Sequence, residues 1–154
     1  MSLPTTVVRI DVASTEQCSQ FEVLFSEYSS GLSVDIESHV IKQLFELPYF
    51  HGFICFVDNE PAGFAVCFES YSSYRAKKVL NIHDFMVSLN YRGKAVGKAL
   101  LSGIEQYSCD HEYLKITLEV DEDNLAAQKL YSSCNYEDYQ LVQKDLLHWQ
   151  KYLL

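Results

Sequence analysis

The run Arg92-Gly93-Lys94-Ala95-Val96-Gly97 combines the ingredients of an anion cradle. Two glycines let the backbone approach a ligand closely. The run sits where a helix begins, so unpaired N–H groups and the positive end of the helix dipole face one point. Arg92, Lys94 and Lys98 add positive charge to a chain whose formal net charge is -9. A phosphate or pyrophosphate suits such a site. A capped helix start with no ligand is the other reading of the same residues. The spacing differs from the dinucleotide GxGxxG. It also differs from the GxxxxGK[ST] loop, because Gly93 to Gly97 is too short and Ala99 follows Lys98 where Ser or Thr belongs.

The elements that must position this run can be read from periodicity. Val7 to Val12 reads as a strand, and Ser14-Thr15-Glu16-Gln17 then has the form of a capping box. Cys18, Phe21, Phe25 and Tyr28 recur at helical spacing until Ser29-Ser30-Gly31 breaks the helix. Ile36, Val40, Ile41, Leu44 and Phe45 share one face of a second helix that Pro48 ends. Strands are expected at Gly52 to Val57 and Ala62 to Phe68, joined by the turn Asp58-Asn59-Glu60-Pro61. Glu69 to Lys78 reads as a polar loop and Val79 to Ser88 as the strand leading into the cradle. Gly93 to Ser108 reads as a helix with Val96, Leu100, Ile104 and Tyr107 on one stripe.

Leu114, Ile116, Leu118 and Val120 alternate with polar residues, which indicates a half-buried strand. Asn124 caps a short helix bearing Ala127, Leu130, Tyr131 and Cys134 on one face, and Asn135 follows its end, where Asn tolerates a left-handed backbone. Two final strands are expected at about Tyr136 to Val142 and Leu146 to Leu153. The order describes one α/β domain over 1–154: a mixed, partly antiparallel sheet of about seven strands flanked by helices, the kind of sheet that the resemblance given below implies is splayed.

Composition narrows the function classes. The chain has 154 residues, 48% of them hydrophobic and 14% aromatic, which fits a single folded core. No apolar run approaches the length that spans a bilayer, and no secretion signal is evident. The acidic balance disfavours nucleic acid and anionic membrane surfaces as partners and favours a cationic small molecule or a basic peptide. The five cysteines form no CxxC pair, and their neighbours are largely apolar, which suggests buried free thiols in a reducing cytoplasm rather than a disulfide framework or a metal site.

Asp84-Phe85-Met86-Val87, followed by Tyr91-Arg92-Gly93-Lys94-Ala95-Val96-Gly97-Lys98-Ala99-Leu100-Leu101, resembles the acetyl-CoA motif of the GCN5-related N-acetyltransferase family, (Q/R)xxGx(G/A). Asn124-Leu125-Ala126-Ala127-Gln128-Lys129-Leu130-Tyr131 resembles its second motif, N..A...Y. The element order is similar over nearly the whole chain. Two positions depart from the pattern: Ala95 and Asn135 stand where glycine is usual.

The resemblance implies an acetyl transfer from acetyl-CoA, as co-substrate and without a metal, to a primary amine in a ternary complex. Phe85, Met86 and Val87 would present backbone groups to the pantetheine arm, with a backbone N–H near Met86 for the carbonyl oxygen. Gly93 through Lys98 would hold the pyrophosphate, Asn124 and Ala127 would line the pantetheine, and Tyr131 beside the sulfur would be the acid. His83 takes the place of a glutamate that diamine acetyltransferases carry, and an imidazole suits a general base. His83 and its neighbour Asp84 are expected on opposite sheet faces, because strand side chains alternate.

Tyr28, Glu69, Tyr71 and Tyr74 are the candidate acceptor contacts, since tyrosine faces and a carboxylate attract a cation. A polyamine is the expected acceptor class. Acetylation of a protein lysine or N-terminus, and a non-catalytic acyl-CoA-binding module, are the alternatives. A homodimer through the apolar C-terminal strand around Leu147 and Trp149 is also open.

Overall fold

The computed structural model describes residues 3–32, 39–142, 144–147 and 149–153. They form two compact units, Met1–Glu119 and Val120–Leu154. The first contains strands β1 (Thr5–Arg9), β2 (Phe50–Val57), β3 (Glu60–Ser72), β4 (Lys77–Val87) and β5 (Lys115–Leu118), with helices α1 (Thr15–Gly31), α2 (Val40–Glu46) and α3 (Val96–Asp110). The second contains α4 (Leu125–Ser133) and the short α5 (Tyr139–Val142).

The strands lie in the order β1-β2-β3-β4-β5. The first three pairings are antiparallel and β4–β5 is parallel. A parallel neighbour needs a crossover, and α3 supplies it. The expected mixed α/β architecture is therefore present. Asp58 and Asn59, both with positive φ (49° and 66°), make the two-residue hairpin between β2 and β3 that their residue types predict.

Helices cover both faces of the sheet. Phe21, Leu24 and Phe25 of α1 pack with Phe50, Ile54, Phe64, Val66 and Met86 in one buried cluster. Phe53, Cys55, Ala65, Cys67, Leu80 and Ile82 alternate with those residues along the strands and are buried, as are Leu100, Leu101 and Ile104 of α3. Gly103 brings α3 against β1: a Cβ there would stand 2.4 Å from Cβ of Val7.

Several boundaries differ from the sequence reading. The expected loop 69–78 is mostly strand, because Glu69 to Ser72 pair with Leu80 to Lys77 and only 73–76 turn. Backbone pairing overrides the polar side chains there. Helix α3 starts at Val96 rather than Gly93, since Gly93 and Ala95 have φ of 74° and 61°, outside the helical range. Ile36, placed on the second helix, lies outside the described residues.

The two C-terminal strands are absent from the described residues. Residues 139–142 are helical instead, and five strands stand where about seven were expected. Leu147, Trp149, Tyr152 and Leu153 are 72%, 89%, 77% and 89% exposed, so apolar content there does not mark a buried strand. Of the cysteines, Cys55 and Cys67 are buried as expected, whereas Cys109 is exposed. Burial pushes the Cys55 thiol up to about 11 and holds Cys67 higher still, so neither is an ionised nucleophile at neutral pH.

Candidate active site

Strand β4 carries the first part of the site, and a bulge shapes it. Val66 pairs with Asp84 and the next residue, Cys67, pairs with Ile82, which leaves His83 as the extra residue. A bulge of this kind places two successive side chains on one side and bends the strand. His83 accordingly packs its ring 5.4 Å from Phe68, while the Tyr28 hydroxyl donates to Asp84 Oδ1 at 2.9 Å. Phe68 and Tyr28 both belong to the α1 side, packed against its core. The expected placement of His83 and Asp84 on opposite faces is therefore wrong: simple alternation fails at the inserted residue.

The bulge also marks where β5 stops accompanying β4. Their pairing runs from Val79–Lys115 to Ile82–Leu118, and β4 continues to Val87 beyond the last pair. The Ser88 N–H donates to the Ala62 carbonyl at 2.8 Å. Alternation along an antiparallel ladder then turns the Met86 backbone toward β3 and the Val87 N–H toward the opposite edge. Gly63 is required opposite, since a Cβ there would approach the Met86 carbonyl oxygen to 2.8 Å.

A short 3-10 turn, Leu89–Tyr91, links β4 to the cradle. It has no cap from its own Ser88 side chain. Glu27 of α1 serves instead, accepting from the Ser88 hydroxyl at 3.1 Å and from the Leu89 N–H at 2.9 Å. Arg92 Nε donates back to the Val87 carbonyl at 3.1 Å, and Lys94 Nζ sits 5.7 Å from the Tyr91 ring centroid. These contacts fix the approach to α3.

The start of α3 is built differently from the starts of α1 and α4. Ser14 and Asn124 cap the latter two, accepting from the N–H groups of Gln17 and Ala127. Ala95, the N-cap of α3, provides no side-chain cap, and the first turn holds no acidic residue. The first intrahelical bond there is Ala99 N–H to the Ala95 carbonyl, 3.1 Å. The first-turn N–H groups thus have no intrahelical acceptor and, among the described residues, no capping side-chain oxygen. Gly93 faces open space, with no atom within 4 Å of where its Cβ would be. An anionic group fits this exposed, basic, uncapped helix start.

In the second unit, α4 fixes Tyr131. Asn135 has φ of 67°, the Tyr136 N–H donates to the Tyr131 carbonyl at 3.0 Å, and the Asn135 N–H donates to Ser132 at 3.1 Å. This is the Schellman ending, and the Tyr131 and Tyr136 rings supply its apolar contact at 6.0 Å. Asn135 thus performs the role usually given to glycine. Tyr131 is buried, and burial raises its phenol above the ordinary value, so it holds its proton. Asn124 and Ala127 share one bond at the opposite end of the helix, Ala127 N–H to Asn124 Oδ1 at 3.2 Å.

The candidate acceptor residues separate. Tyr28 stands on the α1 side with Asp84. Glu69 lies on the other face: it accepts a short hydrogen bond from Tyr113 and pairs with Lys78 at 3.4 Å and with His51 at 3.5 Å. Tyr71, opposite Lys78 in the ladder, lines a surface hollow with Lys78 and His111, and Tyr74 is fully exposed at the 73–76 turn. Sequence reasoning missed Glu27 as an anchor and His51 as the centre of a polar network. Nothing in their local spacing signals either role, since both depend on partners more than 40 positions away.

Among the described residues, no group of three or more His, Cys, Asp or Glu side chains could hold a metal ion. No helix among them is long and apolar enough to cross a membrane.

Residues 16–136 match the model of the Acetyltransferase (GNAT) family. An uncharacterized N-acetyltransferase of Methanocaldococcus jannaschii is 28% identical over 91 residues, a match covering 58% of this chain and 40% of that protein. Among solved structures, an aminoglycoside acetyltransferase from an uncultured soil metagenomic sample, in complex with trehalose, superposes with a TM-score of 0.78 at 17% identity, covering 97% of each chain. The ribosomal-protein-alanine N-acetyltransferase of Brucella melitensis biovar Abortus 2308 gives 0.74 at 16% identity, covering 98% of each. At these identities the likeness is one of fold.

Proposed function

The chain belongs to the acetyltransferase (GNAT) family, and from that premise we propose that it transfers the acetyl group of acetyl-CoA to a primary amine of a small cationic molecule. The observation that carries this reading is the uncapped, basic start of α3 beyond a β4 segment that outruns its β5 partner. Gly93 through Lys98 hold the pyrophosphate, with Arg92 and Lys94 adding charge. Phe85, Met86 and Val87 border the pantetheine, and the Val87 N–H is the donor for the carbonyl oxygen. Asn124, Ala127 and Tyr131 keep the roles that the family gives them.

The chemistry needs a neutral amine, although an alkylammonium has a pKa of about 10.4. His83, exposed beside Asp84, takes the proton. The amine nitrogen then attacks the thioester carbon, forming C–N as C–S breaks, and sheds its second proton to solvent, as His83 sheds the first. In the role the family motif gives it, the Tyr131 phenol gives its proton to the departing thiolate and recovers one from solvent. The products are the acetylated amine and free CoA thiol. The net charge of -9 favours a cationic acceptor, and polyamines are the first class to try.

Acetyl-CoA titrated into the protein by calorimetry tests the cradle. Free-thiol release with polyamines, aminoglycosides and basic peptides tests the transfer. Binding together with thiol release on a small amine is the expected result. Release on peptides alone would assign a protein acetyltransferase, binding without release would assign a non-catalytic acyl-CoA module, and absence of binding would overturn the whole reading.

A further inference from the structure

The bulge at His83 exposes a patch on the α1 side with two kinds of surface. One is an aromatic ladder. The Tyr49 and Phe68 rings stand 6.2 Å apart and Phe68 and His83 5.4 Å apart, and Phe68 rests on Phe50 at 6.4 Å. Tyr49 is 46% exposed, His83 is exposed and Phe68 is half-buried, so the ladder offers ring surface to solvent. The other is the half-buried carboxylate of Asp84, adjacent in sequence and on the same side. The Tyr28 hydroxyl is its one hydrogen-bond donor among the described residues. A carboxylate can accept about four hydrogen bonds, so Asp84 retains capacity for a cationic donor.

Two further carboxylates among the described residues bind other parts of the fold. Glu27 holds Ser88 and Leu89, and Glu119 receives the Asn81 amide at 3.4 Å. A linear polyamine is best held by several spaced anions, and a polyhydroxylated amine needs many polar partners. Asp84 is the carboxylate adjacent to the ring ladder among the described residues, and a carboxylate beside flat apolar rings matches a different ligand: one ammonium joined by a short arm to an aromatic body.

We propose that this patch is the acceptor seat and that it selects an arylalkylamine. Asp84 seats the ammonium, His83 stands next to the nitrogen it must deprotonate, and the ring of the amine lies against Tyr49 and Phe68. This assignment rests on the acetyl-transfer reading above for its chemistry, but the seat itself can be tested without turnover.

The experiment uses phenethylamine, spermidine and sisomicin as probes on the full chain. Thiol release is expected to give phenethylamine a kcat/KM about tenfold or more above the other two. Tyr49→Ser should raise the phenethylamine KM about fivefold and the spermidine KM by less, lowering the phenethylamine-to-spermidine kcat/KM ratio. Asp84→Asn should raise the KM of phenethylamine and spermidine alike, while the acetyl-CoA Kd by calorimetry stays constant. Preference for spermidine or sisomicin, or a Tyr49→Ser enzyme with the wild-type ratio, would overturn the assignment. If no amine supports thiol release, the transfer reading fails separately. The seat is then judged by phenethylamine binding followed by NMR: shifts at His83 and Phe68 that vanish in Asp84→Asn uphold it, and their absence sinks it.

Discussion

The Tyr28 hydroxyl of α1 donates to Asp84 Oδ1 of β4 at 2.9 Å, across 56 positions of sequence. This one bond ties the last turn-and-a-half of the helix to the bulged part of the strand. It also holds the carboxylate beside His83.

Removing that hydroxyl should be felt in both stability and substrate binding. A hydrogen bond to a charged group contributes about 1.5–3 kcal/mol, and partial exposure places Tyr28→Phe near the lower end. Urea unfolding should therefore show a loss of about 1–2 kcal/mol. A variant as stable as wild type would show that the bond contributes nothing.

Ala95 carries a left-handed backbone, φ 61° and ψ 18°, at the mouth of the cradle. An L-residue with a Cβ is strained there by about 1–2 kcal/mol, and glycine gives back part of that gain through the entropy of the unfolded chain. Ala95→Gly should raise stability by up to about 1 kcal/mol and bind acetyl-CoA at least as tightly. Ala95→Val should do the reverse, because branching at Cβ worsens the left-handed conformation. Thermal melts with and without acetyl-CoA decide both, and a destabilised Ala95→Gly would contradict the account.

Tyr131→Phe should leave acetyl-CoA affinity within about twofold and lower kcat by about 10²-fold or more, since only proton donation is lost. Burial raises the phenol above its ordinary value of 10.0, so the donor stays protonated through neutral pH. If a basic limb of the wild-type kcat profile reports this phenol, it lies above pH 10. Unchanged turnover in the variant would remove Tyr131 from the chemistry.

The polar network on the α3 side predicts how stability varies with pH. Arg9 Nε donates to His51 Nδ1 at 3.1 Å, so a neutral ring must carry its proton on Nε2, toward Tyr113 and Glu69. Burial, then the Arg9 charge, lowers His51 below its ordinary 6.5. A His that folds neutral contributes stability that is complete above pH 6.5 and lost as pH falls from there toward the folded value. Burial alone would raise Glu69, but the Tyr113 hydroxyl and Lys78 outweigh it and lower it below 4.5, so its contribution fades only under more acidic conditions. Chemical denaturation from pH 7.5 to 5 should show a decline that His51→Asn flattens. Equal slopes in the two proteins would show that the network does not titrate in this window.

Much of the architecture was legible in local pattern. The continuous apolar runs Gly52 to Val57 and Ala62 to Phe68, the two-residue turn at Asp58-Asn59 and the amphipathic stripe of α3 each name their own element. Ser14 and Asn124 were readable as caps because a short side-chain oxygen needs only the N–H groups just after it. The left-handed Asn135 was readable for a similar reason, since the residue itself tolerates that conformation.

The strand placed at 146–153 shows the limit of such reading: apolar residues suggest a strand, but a strand exists only where a neighbour pairs with it. The cradle shows both sides of the division. Its glycines, its basic residues and its place before a helix are properties of the chain itself, so the family and the basic, glycine-containing run from Arg92 to Lys98 were legible without the fold. The bulge is a different kind of fact. One extra residue in β4 exists only relative to β3, so no inspection of β4 alone reveals that His83 and Asp84 turn to the same side. Tertiary pairing also sent Glu69 to the opposite face, toward His51 and Lys78, and brought Tyr28 to Asp84. Residue type and spacing act over a few positions, whereas register and facing are set by which strands meet. Only the folded structure decided which of these side chains could stand together.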